Sequence, residues 1–114
     1  KKKKMVIDLK TTGEGGANPD KFTRTIVNFH YHLQAAHYLQ ATGAKRFIFI
    51  AVEKVFPYSV GIYQLSPNFI EKGYELQKQT LHQILEASKT KFWRGYTNAS
   101  PDGIQTLTPP SWLK

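Results

Sequence analysis

Asp8-Leu9-Lys10 sets a carboxylate and an ammonium two residues apart within an apolar run, Met5-Val6-Ile7-Asp8-Leu9-Lys10-Thr11. That run reads as a short strand. The two-residue period of a strand puts Asp8 and Lys10 on one face and Ile7 and Leu9 on the other. The expected arrangement sends Ile7 and Leu9 into the core and leaves the charged pair in water. There the carboxylate suits Mg²⁺ or Mn²⁺, hard cations that take oxygen ligands. The Leu9 carbonyl, between the two side chains, offers a further oxygen. Lys10 is placed to orient an attacking water or to offset charge developing on a phosphate. The competing reading is two solvated charges at a strand end, because an acid and a lysine at this spacing are common.

A second group follows on a helix. Gln34 and Tyr38 are four residues apart and so adjacent on one face, with His30 one turn earlier in the same column. Three hydrogen-bonding side chains in a column suit contact with a phosphate, a base edge or a catalytic lysine. Alternatively, Tyr38 packs its ring at a core edge while Gln34 and His30 are merely wet. His30, His32 and His37 do not share a strong ligand spacing, and the chain has no cysteine, so a zinc site has little support.

These residues need elements to hold them. Thr12 to Asp20 is a loop rich in glycine. Asn18-Pro19 offers a cap and a first-turn proline, predicting one helix from about Asp20 to Thr42 that Gly43 ends. Thr23, Thr25, Ile26 and Val27 weaken its first half, so an irregular start is expected. Arg46 to Val52 is apolar on both faces and reads as a strand buried within a sheet. Tyr58 to Leu65 reads as its antiparallel neighbour across a short connection broken by Pro57. Ser66-Pro67 starts a helix to about Lys89, with Ile70, Tyr74, Leu81, Ile84 and Leu85 as its apolar stripe. Phe92 to Lys114 reads as an irregular tail anchored by aromatics. The order predicts an α/β (α+β) domain with a small mixed sheet flanked by helices.

Composition narrows the class. The 114 residues allow one domain or part of one, and 40% hydrophobic content supports a core. Sixteen Lys+Arg against eight Asp+Glu give a net charge of +8, which favours an acidic partner such as nucleic acid. Residues 1–10 hold five of the lysines; Lys1–Lys4 also read as a solvated tail or an added segment. The absence of cysteine removes disulfides and thiolate metal sites. No apolar run approaches a membrane span, and no signal-peptide core follows the lysines, so a soluble cytoplasmic protein is expected.

Val6-Ile7-Asp8-Leu9-Lys10-Thr11-Thr12, followed by Tyr31-His32-Leu33-Gln34 with Tyr38, resembles the PD-(D/E)xK nuclease superfamily. More narrowly it is similar to the RecE-like and lambda-exonuclease-like branch, whose helix after the catalytic strand carries Q-x-x-x-Y. Ile104 to Leu113 looks like the closing segment of such domains, so the resemblance covers nearly the whole chain. It implies a restriction-endonuclease-like fold and an exonuclease dependent on Mg²⁺ (or Mn²⁺) that degrades double-stranded DNA from its 5′ ends in phage recombination. It implies a single-strand annealing protein as partner and a homo-oligomeric ring. By position, Asp8 and the Leu9 carbonyl would hold metal, Lys10 would be the catalytic lysine, and Gln34 and Tyr38 would position the phosphate. Thr11 and Thr12 would contact the DNA backbone, and His30 is a candidate DNA contact from its place in the helical column. Lys45, Arg46, Lys72 and Arg94 are candidates for nonspecific phosphate contacts.

One departure matters. The family sets a helix with an acid or histidine, and a strand with the first metal-binding aspartate, ahead of this motif. Four lysines stand there instead. Glu14, in the glycine loop, and Glu53, at the end of a strand, are poor substitutes. The chain is therefore expected to be a C-terminal portion of a nuclease domain, inactive alone. The alternatives are a basic nucleic-acid-binding module, with Tyr31, Tyr38, Trp93 and Tyr96 available for stacking, and a degenerate remnant that mainly makes subunit contacts.

Overall fold

The computed structural model describes residues 4–93, 95, 102 and 104–114. Arg94 and Tyr96 lie outside the described residues. In chain order the elements are β1 (Met5–Thr12), α1 (Pro19–Asn28), α2 (Tyr31–Thr42), β2 (Arg46–Glu53), β3 (Val60–Gln64) and α3 (Pro67–Thr90). The three strands form one mixed sheet in the order β1-β2-β3. β1 pairs with β2 in parallel, Asp8 opposite Phe49 and Lys10 opposite Ala51. β2 pairs with β3 antiparallel, Phe49 opposite Tyr63. Three strands and three helices make this an α+β arrangement with a mixed sheet, as the element order predicts.

The chain divides into two compact units, Lys1–Leu81 and His82–Lys114. The first holds the sheet, α1, α2 and most of α3. The second holds the end of α3 and a segment whose described residues form neither helix nor strand.

The core of the first unit is aromatic. Phe22, Phe47 and Phe49 are fully buried. Phe22 stacks on Tyr63 at 5.5 Å and meets Phe49 edge-on at 5.8 Å, and Phe47 lies 4.9 Å from Phe49. Such pairs favour offset or tilted contacts because ring faces are negative and ring edges positive. Phe47 and Phe49 come from odd positions of β2, so odd β2 residues define the face that α1 and α2 cover.

That register overturns the expected orientation of β1. The parallel pairing aligns Val6, Asp8 and Lys10 with Phe47, Phe49 and Ala51, turning them toward the helices. Ile7 and Leu9 point the other way and are 59% and 63% exposed. They share that outer face with Ile62, 68% exposed, and with Ile48, which is buried. Both faces of β1 and β2 carry apolar residues, so apolar content alone could not say which face the helices take. The bulk of Phe47 and Phe49 decides it.

The single helix predicted over residues 20–42 is two helices. Asn18 caps α1, its Oδ1 accepting from the Lys21 N–H at 2.9 Å. Thr23 and Thr25 donate back to carbonyls four residues earlier, at 2.7 and 3.1 Å. Such bonds compete with the helical ladder and bend it. The helix ends at Asn28, and His30 takes a left-handed conformation at φ 56° before α2 begins. α2 stops at Gly43, φ 72°, as the sequence predicts.

α3 differs from its expected stripe. It crosses α2 at Gly73, where a Cβ would collide with the His32 carbonyl. Gly73 and Gln77 are its buried positions. Gln77 Nε2 donates to Gln40 Oε1 at 2.7 Å and lies 2.8 Å from His37 Nδ1. Leu81, Ile84 and Leu85, expected in the apolar stripe, are exposed.

Candidate active site

The site is built where β1 passes beneath the start of α2. Asp8 and Lys10 are not on a wet face. Their side chains are 24% and 18% exposed, and Lys10 Nζ lies 2.9 Å from Asp8 Oδ2. The same ammonium sits 4.1 Å from the centroid of the Tyr31 ring. A cation over an aromatic face is held by the negative ring quadrupole, more strongly as water is excluded.

Helical spacing locates Gln34. Tyr31, Gln34 and Tyr38 form one stripe of α2 at i, i+3 and i+7. Tyr31 stacks on Phe49 at 6.1 Å and Tyr38 packs against Phe47 at 6.2 Å. Phe49 is level with Asp8 and Phe47 with Val6. α2 thus runs back along β1, with Gln34 on the turn between Tyr31 and Tyr38. Gln34 is half-buried, and Tyr38, 42% exposed, reaches the surface.

Asp8 Oδ2 and Gln34 Oε1 are both buried acceptors without a hydrogen-bond donor. The Lys10–Asp8 contact is an ion pair in distance but lacks hydrogen-bond alignment. Asp8 Oδ2 is countered by the Lys10 ammonium, while the Gln34 oxygen is left unpaired at a cost of about 1–3 kcal/mol; each is an oxygen of the kind a hard cation takes. A third oxygen follows from the ladder. The Thr12 carbonyl accepts from the Lys54 N–H at 2.9 Å. The strand period then turns the Asp8 and Lys10 carbonyls toward β2 and the Leu9 carbonyl to the open edge of β1. All three are oxygens of the kind Mg²⁺ and Mn²⁺ take. Among the described residues no cluster of three His, Cys, Asp or Glu side chains could hold a metal, so Asp8 belongs to no such cluster.

Glu53 is engaged elsewhere. Its two oxygens accept from the Gly15 and Ala17 N–H groups at 3.0 and 3.3 Å, closing the glycine loop that follows β1. Gly15 sits at φ 74°, a backbone that glycine adopts without strain. The Ala17 carbonyl accepts from the Tyr63 hydroxyl at 2.6 Å. Loop and α1 are therefore tied to the sheet beside the site. Only the loop's glycines signalled this in the sequence.

Other expected contacts scatter. His30 is not in the Gln34 column: its left-handed backbone takes it out of the helix, and it lies exposed at the α1–α2 junction. Thr11 faces the outer side of the sheet, while Thr12 is half-buried on the inner side and donates to the Gly13 carbonyl. Lys45 and Arg46 lie at the opposite end of the strand pair, level with Lys4 and Met5. Arg46 Nε donates to Gln64 Oε1 at 2.8 Å on the outer face, away from Asp8. Lys72, on α3, pairs loosely with Glu75 at 3.6 Å. Tyr31, considered for base stacking, already stacks with Phe29 and Phe49 and carries the Lys10 ammonium over its ring.

Where α2 meets α3, His32 is buried with Nδ1 unpartnered, its ring 5.3 Å from that of Phe69. Burial pushes its pKa below the ordinary 6.5. A hydrogen bond to the Ile26 backbone opposes that shift, and nearby His30 adds to it.

Among solved structures, one from Eubacterium rectale designated "Putative exonuclease" superposes with a TM-score of 0.63 at 17% identity. The alignment covers 93% of this chain and 44% of that one, so this chain spans less than half the length of its neighbour. At that identity the likeness establishes the fold. No curated protein matches the chain. A family profile described as a PDDEXK-like domain of unknown function (DUF3799) matches residues 1–100. That span takes in the Asp8–Lys10 strand, both helices over it, the remaining strands and all of α3, and the chain belongs to this PDDEXK-like family.

Proposed function

We propose that this chain carries the lysine-bearing half of a metal-dependent nuclease site, and that its substrate is the end of double-stranded DNA. The observation that carries the reading is the half-buried Asp8 carboxylate and Lys10 ammonium, 2.9 Å apart, with the ammonium against Tyr31 of the helix that also carries Gln34 and Tyr38. Asp8, the Gln34 amide oxygen and the Leu9 carbonyl would hold Mg²⁺ or Mn²⁺. When bound, the metal supplies Lewis-acid polarisation of the phosphate and a more acidic water. Lys10 holds a positive charge where negative charge develops on the phosphate, in a site shielded from water where that charge counts for more. Tyr38 presents its hydroxyl at the surface end of the same stripe, suited to a phosphate oxygen. The net charge of +8 attracts the DNA backbone without reading sequence.

Digestion from 5′ ends, a role in phage recombination, an annealing-protein partner and a ring-shaped homo-oligomer belong to this proposal through the RecE-like resemblance. One carboxylate gives weak metal affinity, so the isolated chain is a poor catalyst at ordinary Mg²⁺ levels. The inactivity expected of the chain alone therefore applies at ordinary Mg²⁺ levels, and saturating Mn²⁺ is the condition under which residual cutting is sought.

The test is digestion of end-labelled linear duplex beside closed circular duplex at saturating Mn²⁺ and in EDTA. Slow loss of label from the linear DNA alone is expected, falling at least about tenfold in Asp8→Ala and in Lys10→Ala. Equal retention of DNA in Mn²⁺ and EDTA, with no cutting and no effect of either substitution, would favour a nucleic-acid-binding module instead.

A further inference from the structure

We infer that Tyr31 is a positioning residue that holds the Lys10 ammonium independently of Asp8. Its consequence for catalysis rests on the nuclease reading above; its geometry does not. Lys10 has two neighbours, the Asp8 carboxylate at 2.9 Å and the Tyr31 ring face at 4.1 Å. The two differ in what metal binding does to them. A carboxylate that ligates a divalent cation gives its charge to that cation, and the cation repels the ammonium. The Asp8–Lys10 ion pair therefore weakens in the state in which Lys10 must act. The ring face keeps its attraction, because the aromatic quadrupole is not a metal ligand.

The ring is fixed for that task. Phe29 stacks against it at 5.8 Å and 23° between planes, and Phe49 at 6.1 Å and 29°. Phe49 is fully buried in the core beneath. Two neighbouring rings thus set the orientation of Tyr31, which opens the first turn of α2 directly after the His30 turn. The break between α1 and α2 places an aromatic face over Lys10, where a continuous helix would have a different phase. The requirement is for an aromatic ring and not for a hydroxyl.

The experiment follows the Lys10 ε-methylene signals by NMR in the full 114-residue chain. Protons above a ring face are shifted upfield by its ring current. The upfield position is expected in wild type and in Tyr31→Phe, and its loss in Tyr31→Leu. The deciding variant is Asp8→Asn, which removes the ion pair without touching the ring. Retention of the upfield shift there supports the inference. Collapse to the position of a solvated lysine overturns it, since the ring contact would then be a by-product of the ion pair.

A kinetic arm uses the duplex assay at saturating Mn²⁺. Tyr31→Leu should lower kcat about tenfold with KM for DNA unchanged, and Tyr31→Phe should restore it. Wild-type kinetics in Tyr31→Leu would also overturn the inference. The spectra need no cleavage: a chain that shows the expected shifts yet never cuts DNA defeats the nuclease reading and leaves the Tyr31 assignment standing.

Discussion

Asp8 and Lys10 are legible as a chemical pair from type and spacing, but their surroundings are not. The sequence places them in water; the structure places them under α2, against an aromatic ring. The difference lies in Tyr31 and Phe49, which meet them from elements far along the chain and leave no local signal. Glu53 is similar: its bonds to Gly15 and Ala17 span more than thirty residues. His32 carries a prediction at this scale. Its folded-state pKa lies below the unfolded value because burial disfavours the charged ring. The unfolded chain therefore binds the proton more readily, and stability falls as pH drops through and below about 6.5. Urea midpoints measured from pH 8 down to pH 5.5 should decline in wild type and decline less in His32→Gln. Equal slopes in both proteins would remove His32 as the cause.

Element boundaries follow their local signals closely. Asn18-Pro19 starts α1 and Gly43 ends α2, since both act through the backbone of their own helix. The split at His30 was foreshadowed by Thr23, Thr25, Ile26 and Val27, whose side chains weaken α1 without saying where it stops. Which face of β1 is inside could not be read, because Ile7 and Leu9 alternate with Asp8 and Lys10 as a strand with an apolar inner side would. Paired substitutions test the corrected face. Leu9→Thr, on the exposed side, should cost less than about 1 kcal/mol. Phe49→Ala, at the aromatic centre, should cost about 3–5 kcal/mol. Denaturant unfolding checks both, and a large loss from Leu9→Thr would mean that the outer face is covered.

For the whole molecule, the fold class was readable because strand and helix periods and their order survive without tertiary information. The site was readable in part. Its residue types were named, while Arg46 turns to the outer face, His30 lies at the α1–α2 junction and Arg94 lies outside the described residues. No helix among the described residues is long and apolar enough to cross a membrane. The positive charge belongs to the molecule and not to the site, so it predicts DNA retention that weakens with salt whichever functional reading holds. What separates those readings is whether the oxygens of Asp8, Leu9 and Gln34 bind a divalent cation. The most direct measurement is a Mn²⁺ titration of the isotope-labelled chain, reading paramagnetic broadening residue by residue. Broadening centred on Asp8, Leu9 and Gln34, lost in Asp8→Asn, is the predicted result. Broadening centred on Glu14 or the α3 glutamates, or a pattern unchanged in Asp8→Asn, would contradict it.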